Sequence, residues 1–248
     1  MPSTDPGDRI YVIGDIHGRY DLLRRLLDRI GEHSAALPAP RALHIVCLGD
    51  LVDRGPDSAR VVEFLHGLQQ ETDQLVVLMG NHEEAFVRSV EGDTRTMEKW
   101  LAVGGAETLS SYGARLPAPG DDLRRYARYL QSALPQRQMR WLRDLPLFAE
   151  SGDYFFCHAG VRPGIALARQ TRSDLLWIRD DFIDDERDHG AVIVHGHTIT
   201  REVTFRANRI GLDTGAYRSG VLSALYLEDD RREVVSAQDV AVHAGAFR

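Results

Sequence analysis

The segment LHIVCLGDLVDRG, residues 43–55, sets an apolar run directly before a glycine and a group of charged residues. Two further segments repeat this form, IYVIGDIHG at residues 10–18 and LVVLMGNHE at residues 75–83. In each segment the glycine allows the chain to turn sharply where the apolar run ends. The three segments therefore predict three strands, each of which delivers polar side chains into a loop.

Helical patterns separate these strands. Leucines recur at helical spacing in Tyr20–Ile30, a second helix is predicted to open at Pro56, and a third to begin at about Glu83. The resulting order, β-α-β-α-β-α, predicts an α/β protein whose core sheet is mixed or largely parallel and covered by helices. Ligands bind at the carboxyl ends of the strands in open sheets of this kind.

The remaining chain has a different character. Between about residues 94 and 145, helical patterns and loop signals predict a helical cap inserted in the α/β core. The last hundred residues predict short strands at Tyr154–Cys157, Val192–Val194, Glu202–Phe205, Ile210–Leu212, Val221–Leu227 and Glu233–Ala237. Because no internal repeat or low-complexity linker divides the chain, we expect a single domain, residues 1–248.

The composition is that of an ordinary globular protein, with 43% hydrophobic and 27% charged residues. A net charge of −7 argues against general affinity for nucleic acid, and no stretch approaches the roughly 20 apolar residues of a membrane span. Two cysteines, Cys47 and Cys157, lie in apolar runs and suit a reducing compartment. We therefore expect a cytoplasmic protein. Lys99 is the only lysine, which indicates a bias towards arginine.

Five loops carry side chains that bind metals. The first three strands lead to Asp15, His17, Asp50 and Asn81, and two later strands lead into FCHAG (156–160) and VHGHT (194–198). The alternative to a shared site is five unrelated polar turns. Aspartate, asparagine and histidine without a thiolate suit Mn²⁺, Fe or Zn²⁺. Six ligands are too many for one catalytic ion, and they fit two ions that share a carboxylate.

The strings GDIHG, GDLVDRG and GNHE, followed by the single-histidine loops, resemble the phosphoprotein phosphatase (PPP) family of the calcineurin-like metallophosphoesterases. The resemblance is greatest to short bacterial members, the lambda-phosphatase-like and PrpA-type serine/threonine protein phosphatases, and spans about Arg9 to Leu227. It implies a β-sandwich of two mixed sheets flanked by helices. It also implies direct attack on phosphorus by metal-bound hydroxide.

The roles of single residues also come from this resemblance. The implied metal ligands are Asp15 and His17 for the first ion, Asp50 for both ions, and Asn81, His158 and His197 for the second. The implied catalytic pair is His82, a general acid, with Asp53, and the implied phosphate-binding residues are Arg54, Arg179 and Asn81. The implied cofactor is a pair of divalent ions, Mn²⁺ before Fe or Zn²⁺.

The resemblance implies hydrolysis of phosphoserine and phosphothreonine, with phosphotyrosine as a further substrate, in a phosphoprotein or a small phosphorylated molecule. The alternative is a symmetrical dinucleoside tetraphosphate hydrolase, from a similar family that tends to lack an acid at the position of Asp53 and to have GNHD. A third class, the non-catalytic scaffold, loses metal ligands that are all present in this chain.

Several neighbours of these motifs are predicted to have structural roles. His195 is interpreted as a neighbour of the ligands or a plain strand-end residue, and Glu83 as a favourable charge in the first turn of a helix. Asp213 is predicted to shape the floor of the site. Trp100 and Gly104 are predicted to pack within the cap.

Overall fold

The computed structural model describes residues 1–239. The strands are β1 (Asp8–Ile13), β2 (Ala42–Cys47), β3 (Leu75–Val77), β4 (Phe148–Ser151), β5 (Tyr154–Cys157), β6 (Val192–His195), β7 (Thr204–Phe205), β8 (Arg209–Gly211), β9 (Val221–Glu228) and β10 (Arg231–Gln238). The helices are α1 (Tyr20–Ala35), α2 (Ser58–Glu71), α3 (Asn81–Val90), α4 (Thr94–Trp100), α5 (Ala106–Ser111), α6 (Leu123–Ala133), α7 (Gln136–Arg143), α8 (Arg172–Trp177), α9 (Asp180–Ile183) and α10 (Ala216–Ser219).

Two five-stranded sheets form the centre of the molecule. The first has the order β10-β9-β1-β2-β3. Its strands β1, β2 and β3 run parallel to one another, β9 runs antiparallel to β1, and β10 runs antiparallel to β9. The second has the order β4-β5-β6-β8-β7, in which β5, β6 and β8 are parallel and the two outer strands are antiparallel. The predicted α/β fold with two mixed sheets is confirmed.

The sheets pack face to face, and helices cover their outer faces. Alternate residues of β1 show this: Ile10 and Val12 lie in a cluster with Phe156 and Val194 of the second sheet, between the two sheets. Tyr11 points the other way, into a cluster with apolar residues of the helices. A third cluster joins the second sheet to α8 and α9. The layers are therefore α/β/β/α.

Helices α4 to α7 occupy the segment predicted to be helical. A kinked turn, Leu101–Gly105, joins α4 to α5, and the four helices pack on α2 and α3. Met97 and Trp100 are buried in this contact, together with Leu130 and Leu142 of α6 and α7. The segment is therefore a set of helices on the outer side of the first sheet, and the number of domains stays a prediction.

Some boundaries differ from those predicted. Helix α2 begins at Ser58, after an N-cap at Asp57, so Pro56 lies in the preceding turn and not in the first helical turn. Helix α3 begins at Asn81, two residues before the predicted start. The sequence did not predict the three short helices α8, α9 and α10, because helices of four to six residues are too short to show a periodic pattern. It also did not predict β4, whose segment FAES lacks the apolar run that marks β3 and β5.

Candidate active site

The loops with the predicted metal ligands all lie at carboxyl ends of parallel strands. In order along the chain, Asp15 and His17 follow β1, Asp50 follows β2, Asn81 begins α3 after β3, His158 follows β5 and His197 follows β6. The strands run in the same sense within each sheet, so these ends meet along one edge of the sandwich. All six residues are at most 6% exposed.

Asp50 lies at the centre of the site. Its Oδ2 is 3.5 Å from Nε2 of His17, and its Oδ1 is 3.4 Å from Nε2 of His158. The two oxygens of one carboxylate therefore face two different groups of possible ligands. Two clusters that could hold a metal ion share this residue, one with His17 and His82 and the other with His158 and His197.

The second cluster also contains Asn81. Nε2 of His158 is 2.8 Å from Oδ1 of Asn81 and 3.2 Å from Nδ1 of His197. The opposite nitrogen of His158, Nδ1, donates to the backbone oxygen of Leu48 at 3.0 Å. This bond leaves the lone pair of Nε2 free and directed at the other potential ligands, as in metal-binding histidines.

Burial favours the neutral form of His17, His158 and His197, which is the form that binds metals. Desolvation lowers the pKa of His17 to about 3 and that of His197 to about 2. It also lowers the pKa of His158. Nδ1 of His17 donates to the backbone oxygen of Val52 at 2.8 Å, so its Nε2 carries the lone pair on the side of Asp50.

Asp15 lies beside these clusters but belongs to neither of the two found among residues 1–239. Its Oδ2 accepts a hydrogen bond from the backbone N–H of His197 at 3.0 Å. Gly196 is required for this approach, because a Cβ at that residue would lie 2.0 Å from Oδ1 of Asp15. Burial and the nearby charges of Asp213 and Asp50 raise the pKa of Asp15 well above its ordinary value.

The donors fit two divalent cations. They are carboxylate, amide and neutral imidazole groups, of the kind that bind Mn²⁺, Fe or Zn²⁺. Oδ2 of Asp213, beside Asp15, is buried and lacks a hydrogen-bond partner among residues 1–239. A buried carboxylate oxygen is rarely left in this state, so its position supports a bound cation at this site.

His82, a member of the first cluster, forms a buried pair with Asp53. Nδ1 of His82 lies 2.5 Å from Oδ2 of Asp53, and Nε2 of the same ring is 3.9 Å from Oδ2 of Asp50. Burial acts to lower the pKa of His82, but the Asp50 and Asp53 carboxylates outweigh it and raise this pKa above its ordinary value. The pair therefore has the geometry of a proton donor with an orienting carboxylate.

Two residues of the helical segment hold Asp53. Nε1 of Trp100 donates to Oδ2 of Asp53 at 2.8 Å, and the hydroxyl of Thr108 donates to Oδ1 at 2.6 Å. The sequence predicted only that Trp100 packs within the cap, and it indicated no role for Thr108. Neither residue lies at a strand end, so no local pattern indicated that it reaches the site.

Arg54 reaches into the site from the loop after β2. Its Nη1 lies 2.9 Å from Nε2 of His17, and its Nη2 lies 2.9 Å from Nε2 of His82. Arg179 follows α8, and its side chain lines the same pocket as Arg54. The predicted pair of arginines therefore faces one cavity.

Glu83 has a larger role than the sequence suggested. It is fully buried, and its carboxylate accepts hydrogen bonds from four backbone N–H groups, those of Gly80, Asp50, Leu51 and Val52, at 2.8–3.1 Å. These groups belong to the loops after β2 and β3. Glu83 thus fixes the backbone that carries Asp50 relative to the backbone that carries the start of α3.

The site is built on unusual backbone conformations. Six non-glycine residues of the described chain have positive φ, and five of them are predicted site residues: His17, Asp50, Asp53, Arg54 and His197. Each such residue is disfavoured and persists only where the surrounding structure holds it. These strained residues are concentrated at the site, which indicates that the backbone strain serves to position their side chains.

His195 lies outside both metal clusters. Its Nδ1 is 3.0 Å from the backbone oxygen of Gly196, and its ring packs edge-on against Phe182 with 5.1 Å between centroids. A Cβ on Gly211 would also touch its ring. His195 thus contacts α9, which packs on the outer face of the second sheet.

A cavity of about 460 Å³ opens beside the two clusters. Its wall combines Arg54, Arg179 and His82 with residues of the helical segment, including Lys99 and Val103. Trp177 also lines the cavity and is 45% exposed. The cavity can therefore hold an anionic group against the arginines and a larger attached group along the helical segment.

Comparison with known proteins agrees with this geometry. The model of the calcineurin-like phosphoesterase family matches residues 8–221, which is most of the chain. The protein belongs to this family, and it is a phosphoesterase with histidine and aspartate clusters suited to metal ions. The recognition of the calcineurin-like superfamily from the sequence is confirmed, whereas the serine/threonine phosphatase subfamily is not.

Individual relatives have low sequence identity to this protein. The bis(5'-nucleosyl)-tetraphosphatase PrpE, asymmetrical, of Bacillus cereus is 26% identical over 232 residues, which cover 86% of this chain and 88% of the relative. A solved structure described as that of a candidate diadenosine tetraphosphatase superimposes with a TM-score of 0.64 at 22% identity, covering 96% and 98% of the two chains. A cold-active protein-tyrosine phosphatase of a Shewanella species superimposes with a TM-score of 0.54 at 19% identity, covering 94% and 83%. In residues 1–239, no helix is long and apolar enough to cross a membrane.

Proposed function

We propose that this phosphoesterase hydrolyses phosphate monoesters of serine and threonine side chains, with phosphotyrosine as a further substrate. The observation that carries the proposal is the His82–Asp53 pair, 2.5 Å apart, beside Arg54 and the metal clusters. A serine or threonine side chain leaves as a strongly basic alkoxide and therefore needs a proton from a positioned acid. A phosphoanhydride needs this proton much less, because its leaving group is a weak base.

The proposed metal ligands are those predicted from the sequence. Asp15, His17 and Asp50 would hold the first ion, and Asp50, Asn81, His158 and His197 would hold the second. Two divalent ions, most simply Mn²⁺, would supply positive charge to the phosphate oxygens and activate the attacking water at neutral pH. The position of Asp50 between two groups of ligands supports its role as the shared residue.

The side chains around the ions bind and protonate the substrate in this proposal. Arg54 and Arg179 grip the phosphate oxygens, since the planar guanidinium matches their spacing. His82 donates a proton from Nε2 to the leaving oxygen. Asp53 holds the ring through Nδ1 and favours its charged form, and Trp100 and Thr108 hold Asp53 in place.

The second candidate is hydrolysis of dinucleoside tetraphosphates. It is supported by the PrpE relatives, whose name denotes the asymmetrical reaction and not the symmetrical one considered from the sequence. It is also supported by the wall of the cavity. Lys99 lines the cavity and forms no ion pair within residues 1–239. The Trp177 indole is tied to Glu84 through Nε1 at 2.7 Å and leaves its face exposed, so it suits stacking with a base.

A direct comparison of substrates tests the proposal. The purified protein with Mn²⁺ is expected to show a higher kcat/KM on phosphoserine and phosphothreonine peptides than on diadenosine tetraphosphate. A preference of tenfold or more, on the order of the discrimination that polar pockets give, for the dinucleotide would favour the second candidate. Absence of hydrolysis of both substrates and of p-nitrophenyl phosphate would overturn both.

The matched variants Lys99→Ala and Arg95→Ala separate the candidates further. Both residues are exposed on α4, but only Lys99 lines the cavity. If the dinucleotide is the substrate, Lys99→Ala lowers kcat/KM on it by about tenfold, as expected when one phosphate contact of about 1.4 kcal/mol is lost. Under the leading proposal, the two variants act alike on phosphopeptides.

A further inference from the structure

Asp213 lies in the turn that follows β8 and is 1% exposed. Its Oδ1 accepts a hydrogen bond from the backbone N–H of Gly215 at 2.8 Å. Its Oδ2 is buried and has no hydrogen-bond partner among residues 1–239. A buried carboxylate oxygen without a partner is costly unless a cation neutralises it. Nothing in the roles predicted from the sequence uses this oxygen.

The carboxyl group of Asp213 lies against that of Asp15, and the charge of Asp50 also acts on both. Three buried carboxyl groups therefore share one region. A Cβ on Gly14 would lie 2.6 Å from the backbone oxygen of Leu212, so the residues that precede Asp15 and Asp213 are in direct contact. Burial and the repulsion between like charges raise the pKa of both Asp15 and Asp213. A cation bound beside the Asp15–Asp213 pair would remove this repulsion, as a proton does without metal.

We propose that Asp213 supports the first metal position, where it lies beside Asp15 and Asp50 and adds a third negative charge for the bound cation. The inference rests on the proposed two-metal function of the site. It assigns Asp213 a specific task, whereas the sequence indicated only that the residue shapes the floor of the site.

The proposal makes the two metal positions chemically unlike. The first has the carboxylates of Asp15, Asp50 and Asp213 around it, with the imidazoles of His17 and His82. The second is surrounded by the imidazoles of His158 and His197, the amide of Asn81 and the shared Asp50. Carboxylates suit hard cations such as Mn²⁺ and Mg²⁺, whereas imidazole suits Zn²⁺. The first position should therefore favour Mn²⁺ over Zn²⁺ more than the second does.

The variant Asp213→Asn tests the proposal. Its Oδ1 can still accept the hydrogen bond from Gly215, so the substitution removes the charge with little change of shape. In calorimetric titrations of the metal-free protein with Mn²⁺, the wild type is expected to bind two ions. The variant is expected to bind one of the two about 10–100-fold more weakly, as for other residues that orient metal ligands. The affinity of the other position should change much less.

Thermal unfolding supplies a second readout. Without metal, Asp213→Asn is expected to unfold at a higher temperature than the wild type, because it removes the repulsion with Asp15. With saturating Mn²⁺, the variant is expected to gain less in melting temperature than the wild type. A merely structural role for Asp213 would instead lower the melting temperature of the metal-free variant.

The control is Asp184→Asn, the same substitution at an exposed position outside both clusters. It is expected to leave Mn²⁺ binding and both melting temperatures unchanged. The proposal is overturned if Asp213→Asn binds two Mn²⁺ ions with wild-type affinity, or if the wild type binds none. If the wild type binds two ions but hydrolyses no phosphate ester, the proposed function fails, and the titration still decides the role of Asp213.

Discussion

Single residues hold this site through contacts that no local pattern reveals. Glu83 accepts four backbone hydrogen bonds and so joins the loops after β2 and β3. In the sequence it is only the last letter of GNHE, beside the start of a helix. Trp100 and Thr108 are similar cases, since each lies about 50 residues from Asp53 along the chain. Their roles depend on a tertiary contact, which residue spacing does not show.

We expect Glu83→Gln to be strongly destabilising. The amide group of glutamine would present N–H atoms to backbone donors that now face carboxylate oxygens, so about two of the four hydrogen bonds would be lost. At about 1–3 kcal/mol for each buried group left unpaired, the free energy of unfolding should fall by roughly 2–6 kcal/mol. Urea denaturation measures this change.

Glu91→Gln is the matched control for that variant. Glu91 caps the other end of α3, and its ion pair with Arg143 is exposed. An exposed pair contributes at most about 1 kcal/mol, so the control should unfold almost like the wild type. Equal losses of unfolding free energy in the two variants would show that the four backbone hydrogen bonds of Glu83 do not stabilise the fold more than an exposed ion pair does.

At the scale of elements, the kinked turn between α4 and α5 supports the loop after β2. Gly104 has φ +123° within this turn, and its backbone oxygen accepts a hydrogen bond from the N–H of Arg54 at 3.3 Å. A Cβ on Gly104 would lie 2.6 Å from that nitrogen. The turn therefore touches the backbone of an arginine that faces the cavity, although the sequence indicated only helix packing.

We expect Gly104→Ala to lower kcat/KM by at least about tenfold, because the added methyl group must displace the backbone of Arg54 and small displacements at such sites are costly. Steady-state hydrolysis of p-nitrophenyl phosphate measures the effect. Gly113→Ala is the control, since Gly113 also has positive φ but has open space at its Cβ. If both variants kept wild-type activity, the contact with Arg54 would be unimportant.

The regular elements could be predicted where their pattern was long enough. The first three strands and the helices between them follow from apolar runs and leucine spacing, and the structure has all of them. The short helices α8 to α10 did not follow, because four to six residues show no helical period, and β4 did not follow, because it lacks an apolar run. The loop glycines were the most informative residues, since they mark the carboxyl ends at which the site forms.

At the scale of the whole molecule, the site joins the two sheets. Asp15, Asp50 and Asn81 come from the first sheet, whereas His158 and His197 come from the second. The sequence predicted which residues meet, because each follows a strand. The sandwich of two sheets was predicted only from the family resemblance. Bound cations would therefore link both sheets, and the site should contribute to the stability of the fold.

Metal removal tests this link. We expect Mn²⁺ at about 100 times its dissociation constant to stabilise the folded state by about 2.7 kcal/mol, which raises Tm by roughly 5–10 °C for a chain of this size. A chelator should reverse the change, and Asp50→Asn should abolish it, because both ligand groups share Asp50. A wild type whose Tm does not respond to Mn²⁺ would contradict the proposed metal site.

The most direct test of the account is the dependence of His82→Asn on the leaving group. With metal content matched to the wild type, the variant should lose on the order of 10²–10⁴-fold in kcat on a phosphoserine peptide, which needs a proton donor. On p-nitrophenyl phosphate, whose leaving group is a weak base, the loss should be much smaller. Equal losses on the two substrates, or near-normal turnover of the peptide, would contradict the role of His82 as the acid.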